Sequence, residues 1–368
     1  MRIENVELRR LRLPLVRPFE TSFGRVDDRT FLLVTVHGEG VEGWGECVAE
    51  AAPFYSAETA ATAWHVLRDF LVPLVAGAEL PSAAAVWERM TRVRGHQMAK
   101  AALEMAAWDL EARQRAVPLW QLLGGNGRPV ASGVSIGIQP SLDALEARVD
   151  AELADGYQRV KIKIKPGWDL EPARRLRDRH PSLALMVDAN AAYTLADADH
   201  LAGLDELSLM MIEQPLEYDD VGKHAALAAR LSTPVCLDES IHSVGIAEDA
   251  LDRRACRIIN IKPGRMGGHL QSRLLHDLCA SRGVPVWHGG MLESGIGRAH
   301  NLHLSTLPNF TLPGDVAASR RYFAPDLIEP GIDVRPDGTI EVPSGPGIGV
   351  AIESDRVESA TEEYWCSA

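Results

Sequence analysis

Five short apolar runs decide the fold: VKIKIK at 160–165, LALMVD at 183–188, LMMIE at 209–213, TPVCLD at 233–238 and CRIINIK at 256–262. Each carries a charge at or near its end, namely Lys163, Asp188, Glu213, Asp238 and Lys262. These charges recur every 24 or 25 residues, about one strand plus one helix. The runs therefore read as consecutive βα units. Three carboxylates and two lysines at equivalent points of one repeat imply a single shared site.

The alternation extends beyond these runs in both directions. ASGVSIGI at 131–138 reads as a strand followed by a helix over 141–155. After the lysine strand, Pro166 and Gly167 end the extended run and Asp169 can cap the next helix. A strand at 284–288, a helix at 295–306 and a weak last strand, NFTLP at 309–313, bring the total to eight. Eight strands alternating with helices predict an α/β fold of the (β/α)8 TIM-barrel type over residues 129–314. A doubly wound sheet fits less well, because no glycine-rich dinucleotide loop follows the first strand.

Residues 1–128 read differently, as an α+β capping domain. Alternating apolar residues from Ile3 to Leu13, then at 31–36 and 41–47, predict strands, the last two joined by the turn HGEG at 37–40. Ala-rich amphipathic segments near 57–76, 82–91 and 97–115 predict helices, with Ser56 and Ser82 as N-caps. Two aromatic-bearing loops stand out: PLVRPFETSFGRVDD at 14–28 with Phe19 and Phe23, and EAAPFYSAET at 50–59 with Phe54 and Tyr55. The first reads as a lid. The tail, 315–368, shows hairpin-like alternation around DGTIEVP at 337–343 and is expected to fold back onto the cap.

Composition narrows the function. A chain of 368 residues, 46% hydrophobic and 24% charged, is ordinary for a globular protein of two domains. Its net charge of −13 argues against a nucleic-acid surface. The N-terminal MRIENVELRR lacks the apolar core of a signal peptide, and no stretch reaches the roughly 18 apolar residues of a membrane helix. Cys47, Cys236, Cys256, Cys279 and Cys366 are scattered with no CxxC spacing. They read as reduced thiols of a cytoplasmic protein, not as a zinc site.

In a barrel of this type, the C-terminal strand ends surround the active site. Asp188, Glu213 and Asp238 would converge there from three neighbouring strands. Carboxylates so close repel one another unless a cation intervenes. All-oxygen ligation favours Mg²⁺, with Mn²⁺ or another divalent ion as a substitute. Capping of the following helices is the plainer role for any one of them, but not for three in register. Asn190 and Glu239 lie by the same strand ends as supporting residues, and Glu239 could compete as a ligand. Alternation puts Lys161, Lys163 and Lys165 on one face of their strand. Lys262 would face Lys163 across the carboxylates. A lysine can serve as a base where neighbouring positive charge or burial lowers its pKa. Two such bases flanking a metal suit abstraction of the proton next to a carboxylate, with the metal stabilising the resulting enediolate.

These residues resemble the enolase superfamily, whose sites combine a Lys or His base with Mg²⁺. Lys-x-Lys at 161–163, VDAN at 187–190, IEQP at 212–215, LDES at 237–240 and NIKPGRMGG at 260–268 resemble its muconate-lactonising subgroup. Mandelate racemase-like members use a His–Asp pair instead. Here Lys262 stands at the strand-six position, which leaves His288 without a dyad partner and reads it as structural or substrate-lining. Within the subgroup, PFETSFG (18–24), RGHQMAKAALEMAAWD (94–109), KIKIKPGWD (161–169), VWHGGMLESGIGRAHN (286–301) and LPNFTLPGD (307–315) are similar to the o-succinylbenzoate synthase / N-succinylamino acid racemase family. The resemblance implies Lys163 as the proton-abstracting base. It implies Lys262 as stabiliser of the enediolate or as the acid/base on the opposite face. The substrate would be a small carboxylate with a succinyl or acyl arm. Phe19, Phe23, Phe54, Tyr55, Ser135, Gly289, Gly290, Met291 and Leu292 are candidates to enclose it. Lys165 is given no catalytic role, and Arg265 reads as an ion-pair partner near Lys262. The family implies a homo-oligomer. A dipeptide epimerase, a muconate-type cycloisomerase and a non-catalytic barrel binding protein are the alternatives.

Overall fold

The computed structural model describes residues 1–367. Its largest sheet holds seven parallel strands in chain order: Gly133–Ile136, Arg159–Lys163, Ala184–Asp188, Ile212–Glu213, Val235–Leu237, Ile258–Ile261 and Val286–His288. Helices connect them, so the sheet curls into the expected TIM-type barrel. The eighth run differs from expectation. Pro308 precedes the run 309–313 and Pro313 ends it, and neither can donate to a ladder. The run instead makes a single bridge, Val286 to Phe310, while Ser132 bridges to Gly314. The Gly133 N–H donates to the Gly314 carbonyl at 2.7 Å. The ring is thus closed by irregular backbone.

The barrel interior is packed in layers. Met186, Met211, Cys236, Ile258 and Trp287 form an apolar plug. Above the plug the inward positions turn polar: Lys161 lies over the Trp287 ring at 4.8 Å, and Lys163, Asp188 and Glu213 follow at the strand ends.

The cap is built on an antiparallel sheet. β1 (Asn5–Glu20) pairs with β2 (Arg25–Gly38), and β2 pairs with β3 (Val41–Cys47). The 14–28 loop expected from the sequence is largely strand. β1 runs on to Glu20, Phe19 pairs with Val26, and only residues 21–24 turn. Pro18 is tolerated there because residues 15–18 lie outside the paired register. The helix Gln97–Gln114 is buried from Met98 to Ala112 and lies against β3. A Cβ on Gly43 or Gly45 would strike the carbonyls of Ala106 or Ala102, so glycine permits the contact. Thr59, not Ser56, caps the helix Ala60–Val66, through a box shared with Thr62. The helix Ala84–Met90 starts at Ala83 without a side-chain cap, so Ser82 does not play that part. The tail does return to the cap: Thr361–Cys366 adds to the outer edge of β1. The DGTIEVP segment forms no hairpin with itself; Thr339–Ile340 pairs with Val130–Ala131 instead.

Buried polar contacts tie cap to barrel. The Glu104 carboxylate accepts from the His269 and Leu270 N–H groups, at the start of the helix His269–Ser281. Glu46 accepts from Ser294 and Gly297 at the start of the helix Gly295–Leu304. An acidic side chain at a helix N-terminus satisfies otherwise orphaned donors. His303, fully buried, accepts from the Trp120 N–H at Nδ1 (3.1 Å) and donates from Nε2 to the Ile348 carbonyl (3.1 Å). This pattern needs a neutral ring, because a protonated Nδ1 would face another donor.

Burial depresses the His303 pKa to about 4, against the opposing pull of the Ile348 carbonyl. Between about 6.5 and 4 the unfolded chain takes up a proton that the folded chain refuses, so this residue costs stability as pH falls. His303→Gln should be less stable than the parent near pH 7 and recover about 2 kcal/mol of that difference near pH 5. Urea midpoints at the two pH values check this; a pH-independent difference contradicts it.

Candidate active site

The parallel register carries the charges to one end of the barrel. Lys163 pairs with Asp188 across adjacent strands, and Asp188 with Glu213. Asp238 and Lys262 follow the next two strands directly. Lys163 Nζ donates to Asp188 Oδ2 (2.7 Å) and to Asn190 Oδ1 (2.6 Å). Asn190 in turn donates from Nδ2 to Glu239 Oε1 at 2.8 Å. Lys262 Nζ donates to Asp238 Oδ2 at 2.8 Å from the opposite side. The two lysines therefore flank the carboxylates, as the repeat implied. Lys161 lies deeper and reaches Glu213 (2.8 Å), Asp188 (3.1 Å) and Asp315 (2.7 Å). Lys165 leaves this face: it sits beyond the strand, 40% exposed, and pairs with Glu20 at 3.5 Å.

The charges set one another's protonation. Burial and the neighbouring Asp188 charge push Glu213 up to about 8. Burial, then Asp238 and Asp188, push Glu239 to about 8 as well. Burial would raise Asp188, but Lys163 and Lys161 outweigh it and hold that carboxyl low. Burial would lower Lys262, but Asp238 and then Tyr55 outweigh it and raise it. Asp238 is the nearest charge to Lys262. Lys262 is held as an ammonium, suited to stabilising a developing anion and to donating a proton.

Several residues join the site that sequence reasoning left out. Asp315, at the end of the irregular eighth segment, bridges Arg159 Nη1 (2.6 Å) and Lys161 (2.7 Å). It stands at the end of LPNFTLPGD, where an eighth strand's charge belongs, so the repeat did carry a signal. Asn260 donates to Glu213 Oε1 at 2.6 Å. Gln214 Oε1 accepts from the Asp238 and Ser240 N–H groups, fixing the next strand end. Arg265 is an ion-pair partner as expected, and its carboxylate is Asp238.

The candidate pocket residues scatter more widely. Tyr55 lies at the centre: its hydroxyl is 3.3 Å from Asp238 Oδ1 and accepts from Lys262 Nζ at 3.1 Å. Neighbouring Phe54 is 66% exposed and stays outside that cluster. Phe19 and Phe23 are half-buried in the β1–β2 hairpin, which reaches the site through Ser22 Oγ, 3.3 Å from the Asn190 carbonyl. Ser135 is buried and its hydroxyl has no partner among the described residues. Gly289 lies so close to Asn260 and Lys262 that a Cβ would collide with both, and one on Gly290 would meet the Asp315 carbonyl. Met291 is buried, and Leu292 half-buried at a φ of 58°. His288 is buried against Phe310 and kept neutral by burial, its pKa about 3.

Residues 5–124 match the mandelate racemase / muconate lactonizing enzyme N-terminal domain, and residues 144–356 match the enolase C-terminal domain-like family. The chain belongs to the enolase superfamily. It is 53% identical to an o-succinylbenzoate synthase of Geobacillus kaustophilus over 98% of this chain and 96% of the relative. It is 50% identical to an N-succinylamino acid racemase of Thermus thermophilus, covering 98% of each. A solved enolase-superfamily structure from Listeria innocua, 37% identical, superposes with a TM-score of 0.96 and covers 100% of this chain and 99% of that one.

Membership in this superfamily implies a divalent metal. No group of three His, Cys, Asp or Glu side chains among the described residues is drawn together as a metal cage; lysine ammonium groups stand between the carboxylates. The donor set nonetheless fits such an ion. Asp188, Glu213 and Asp238 offer only hard oxygens from adjacent strand ends. Burial, and after it the Asp188 charge, raise the Glu213 pKa, and a cation among these carboxylates would oppose both. Glu239 Oε2 is shielded and without a partner among the described residues, and its carboxyl feels the charges of Asp238 and Asp188.

Asp315 neutralises two buried cations at once. Burial would raise its pKa, but Arg159 and Lys161 hold it well below the usual carboxylate range. Asp315→Asn should cost about 3–5 kcal/mol of stability, since it leaves Arg159 and Lys161 short of an anion. Chemical denaturation reads this directly; a loss below about 1 kcal/mol contradicts the pairing.

Proposed function

We propose that the chain is a Mg²⁺-dependent enzyme that removes the α-proton of a carboxylate to form an enediolate, acting as an o-succinylbenzoate synthase, an N-succinylamino acid racemase, or both. The observation that carries this reading is the placement of Lys163 and Lys262 on opposite sides of three strand-end carboxylates. The relatives named for the two activities, at 53% and 50% identity, support it equally.

Asp188, Glu213 and Asp238 would hold the metal, which supplies Lewis-acid stabilisation of the substrate carboxylate when bound. Lys161, Asn190 and Glu239 support these ligands. Lys163 takes the α-proton, and Lys262 stabilises the negative charge that develops. In the dehydration, the C–H electron pair passes into the enediolate, whose collapse back to the carboxylate forms the Cα–Cβ double bond as the β C–O bond breaks. Lys163 then returns its proton to the departing hydroxyl on the same face, and water leaves. In racemisation no bond but C–H breaks, and Lys262 delivers a proton to the opposite face. Both reactions pass through one enediolate and need one set of residues. Tyr55, Phe19, Phe23, Ser135 and the 289–292 segment would shape the pocket for the acyl arm, with Phe54 at its outer rim.

Residues 129–314 serve as the reactive barrel, with 1–128 and 315–368 as its cap. No described helix is long and apolar enough to cross a membrane. The five cysteines are free, in keeping with a cytoplasmic enzyme acting on a small molecule, and a homo-oligomer is part of this reading. The test is kcat/KM with the cyclohexadiene carboxylate of the synthase and a panel of N-succinylamino acids, with and without EDTA. Turnover of at least one class, lost on chelation and restored by Mg²⁺, is expected. Full activity after chelation, or no turnover of either class, contradicts the proposal.

A further inference from the structure

The strand ladder stops short of the last carboxylate. The strand Ile212–Glu213 pairs with Val235–Leu237 only as far as Glu213 and Cys236, so Asp238 stands one step beyond the last strand residue. A buried main-chain N–H without a partner is strongly disfavoured, and here a side chain supplies the partner. Gln214 Oε1 accepts from the Asp238 N–H at 3.0 Å and from the Ser240 N–H at 3.2 Å. Its Nε2 donates to Ser240 Oγ at 2.8 Å and to the Leu216 carbonyl at 3.0 Å. An amide side chain carries the same acceptor and donor as a peptide unit. Gln214 thus continues the ladder past the end of the strand.

The main chain of Gln214 makes further connections. Its N–H donates to the Cys236 carbonyl at 2.9 Å, and its carbonyl accepts from the Ala191 N–H at 2.8 Å. One residue is therefore bonded to the segments that carry Asp188 and Asp238, and is itself the neighbour of Glu213. Its φ of 37° is left-handed, a strained state for a residue with a Cβ, which persists only where the surroundings fix it. The amide also has a fixed orientation. His224 Nδ1 lies 2.9 Å from the Asp220 carbonyl, which can only accept, so that nitrogen carries the proton. His224 Nε2 is then an acceptor; the Leu216 N–H donates to it at 3.3 Å, and Gln214 Nε2 faces it at 3.4 Å. Turning the amide over would set its NH₂ against the N–H groups of Asp238 and Ser240. Gln214, His224 and Asp238 are all 0% exposed, so bulk water does not replace a lost bond.

We propose that Gln214 is a positioning residue that sets the spacing of Asp188, Glu213 and Asp238, and with it their affinity for a divalent cation. The inference rests on the metal-dependent function proposed above. A small hard ion tolerates little error in the placing of its oxygens, and a partner behind the ligands is typically worth about 10–100-fold in affinity. Gln214 acts through the main chain of the ligand segments, not by touching ion or substrate.

The experiment titrates Mn²⁺ into the metal-free full-length protein and follows the EPR signal of the free ion. Gln214→Asn keeps the amide but is one methylene too short to span to Asp238 and Ser240. It should weaken Mn²⁺ binding about 10–100-fold. Gln214→Glu keeps the length and an oxygen acceptor for both N–H groups, so it should bind no more than about threefold weaker than the parent. His303→Gln, at the cap junction, controls for lost stability and should bind as the parent does. An Asn variant that binds like the parent, a Glu variant that loses as much as the Asn variant, or an equal loss in the control overturns the proposal. Should Gln214→Asn not fold, Ser240→Ala takes its place. It removes one acceptor that orients the amide and should weaken binding by about threefold or more; no weakening overturns the proposal. If the parent binds no Mn²⁺, the metal-dependent function and this proposal both fall. If it binds Mn²⁺ but turns over neither substrate class, only the reaction fails, and the affinities still decide the role of Gln214.

Discussion

Five buried cations and four buried carboxylates share the open end of the barrel, and neither set is tolerable alone. Arg159, Lys161, Lys163, Lys262 and Arg265 face Asp188, Glu213, Asp238 and Asp315, with the half-buried Glu239 at the edge. Removing a charge of this size from water costs several kcal/mol, and only close, hydrogen-bonded partners offset it. The parallel register supplies those partners, because equivalent positions on adjacent strands meet at one height. Buried ion pairs of this kind add little net stability compared with apolar packing. Their value here is chemical. The site holds fixed charges in a water-poor setting, where they act strongly on a substrate carboxylate.

That register explains why so much of the site was legible in the sequence. A strand-plus-helix unit has a narrow range of lengths, so charges that recur every 24 or 25 residues must fall at equivalent strand ends. Lys163, Asp188, Glu213, Asp238 and Lys262 could be found that way. Arg159 and Asp315 could not be paired, because they are 156 residues apart and meet only through closure of the ring. The two prolines around 309–313 blurred the last strand further. The cap was harder for a different reason. Its first loop has a composition typical of turns, yet strand pairing with residues 25–30 extends it, a tertiary effect that local propensity does not record. The junction glutamates, Glu46 and Glu104, look like surface charges until the helix starts they satisfy are brought against them.

The two parts of the molecule divide the work. The barrel places Lys163 and Lys262 on either side of the carboxylates, where the proposed reaction needs its proton-transfer groups. The cap contributes Tyr55 directly to the carboxylate cluster and meets the strand ends through Glu20, after the first and second strands, and Ser22, after the third. Specificity therefore depends on how firmly the cap is seated. Glu46 links it to the helix that follows the 289–294 segment, and Gly289 and Gly290 let that segment approach Lys262 and Asp315. Under the proposed function, a change in the cap would alter substrate choice while leaving Lys163 and Lys262 in place.

The central claim is that Lys163 and Lys262 act on opposite faces of one substrate carbon. The direct measurement is α-proton exchange by NMR, in D₂O with Mg²⁺, on each enantiomer of an N-succinylamino acid. The parent enzyme and the Lys163→Ala and Lys262→Ala variants are compared. The expected result is that Lys163→Ala loses exchange, by about 10³-fold or more, from the enantiomer whose α-proton faces Lys163. Lys262→Ala loses it from the other enantiomer. Exchange of both enantiomers at parental rates in either variant would contradict the claim.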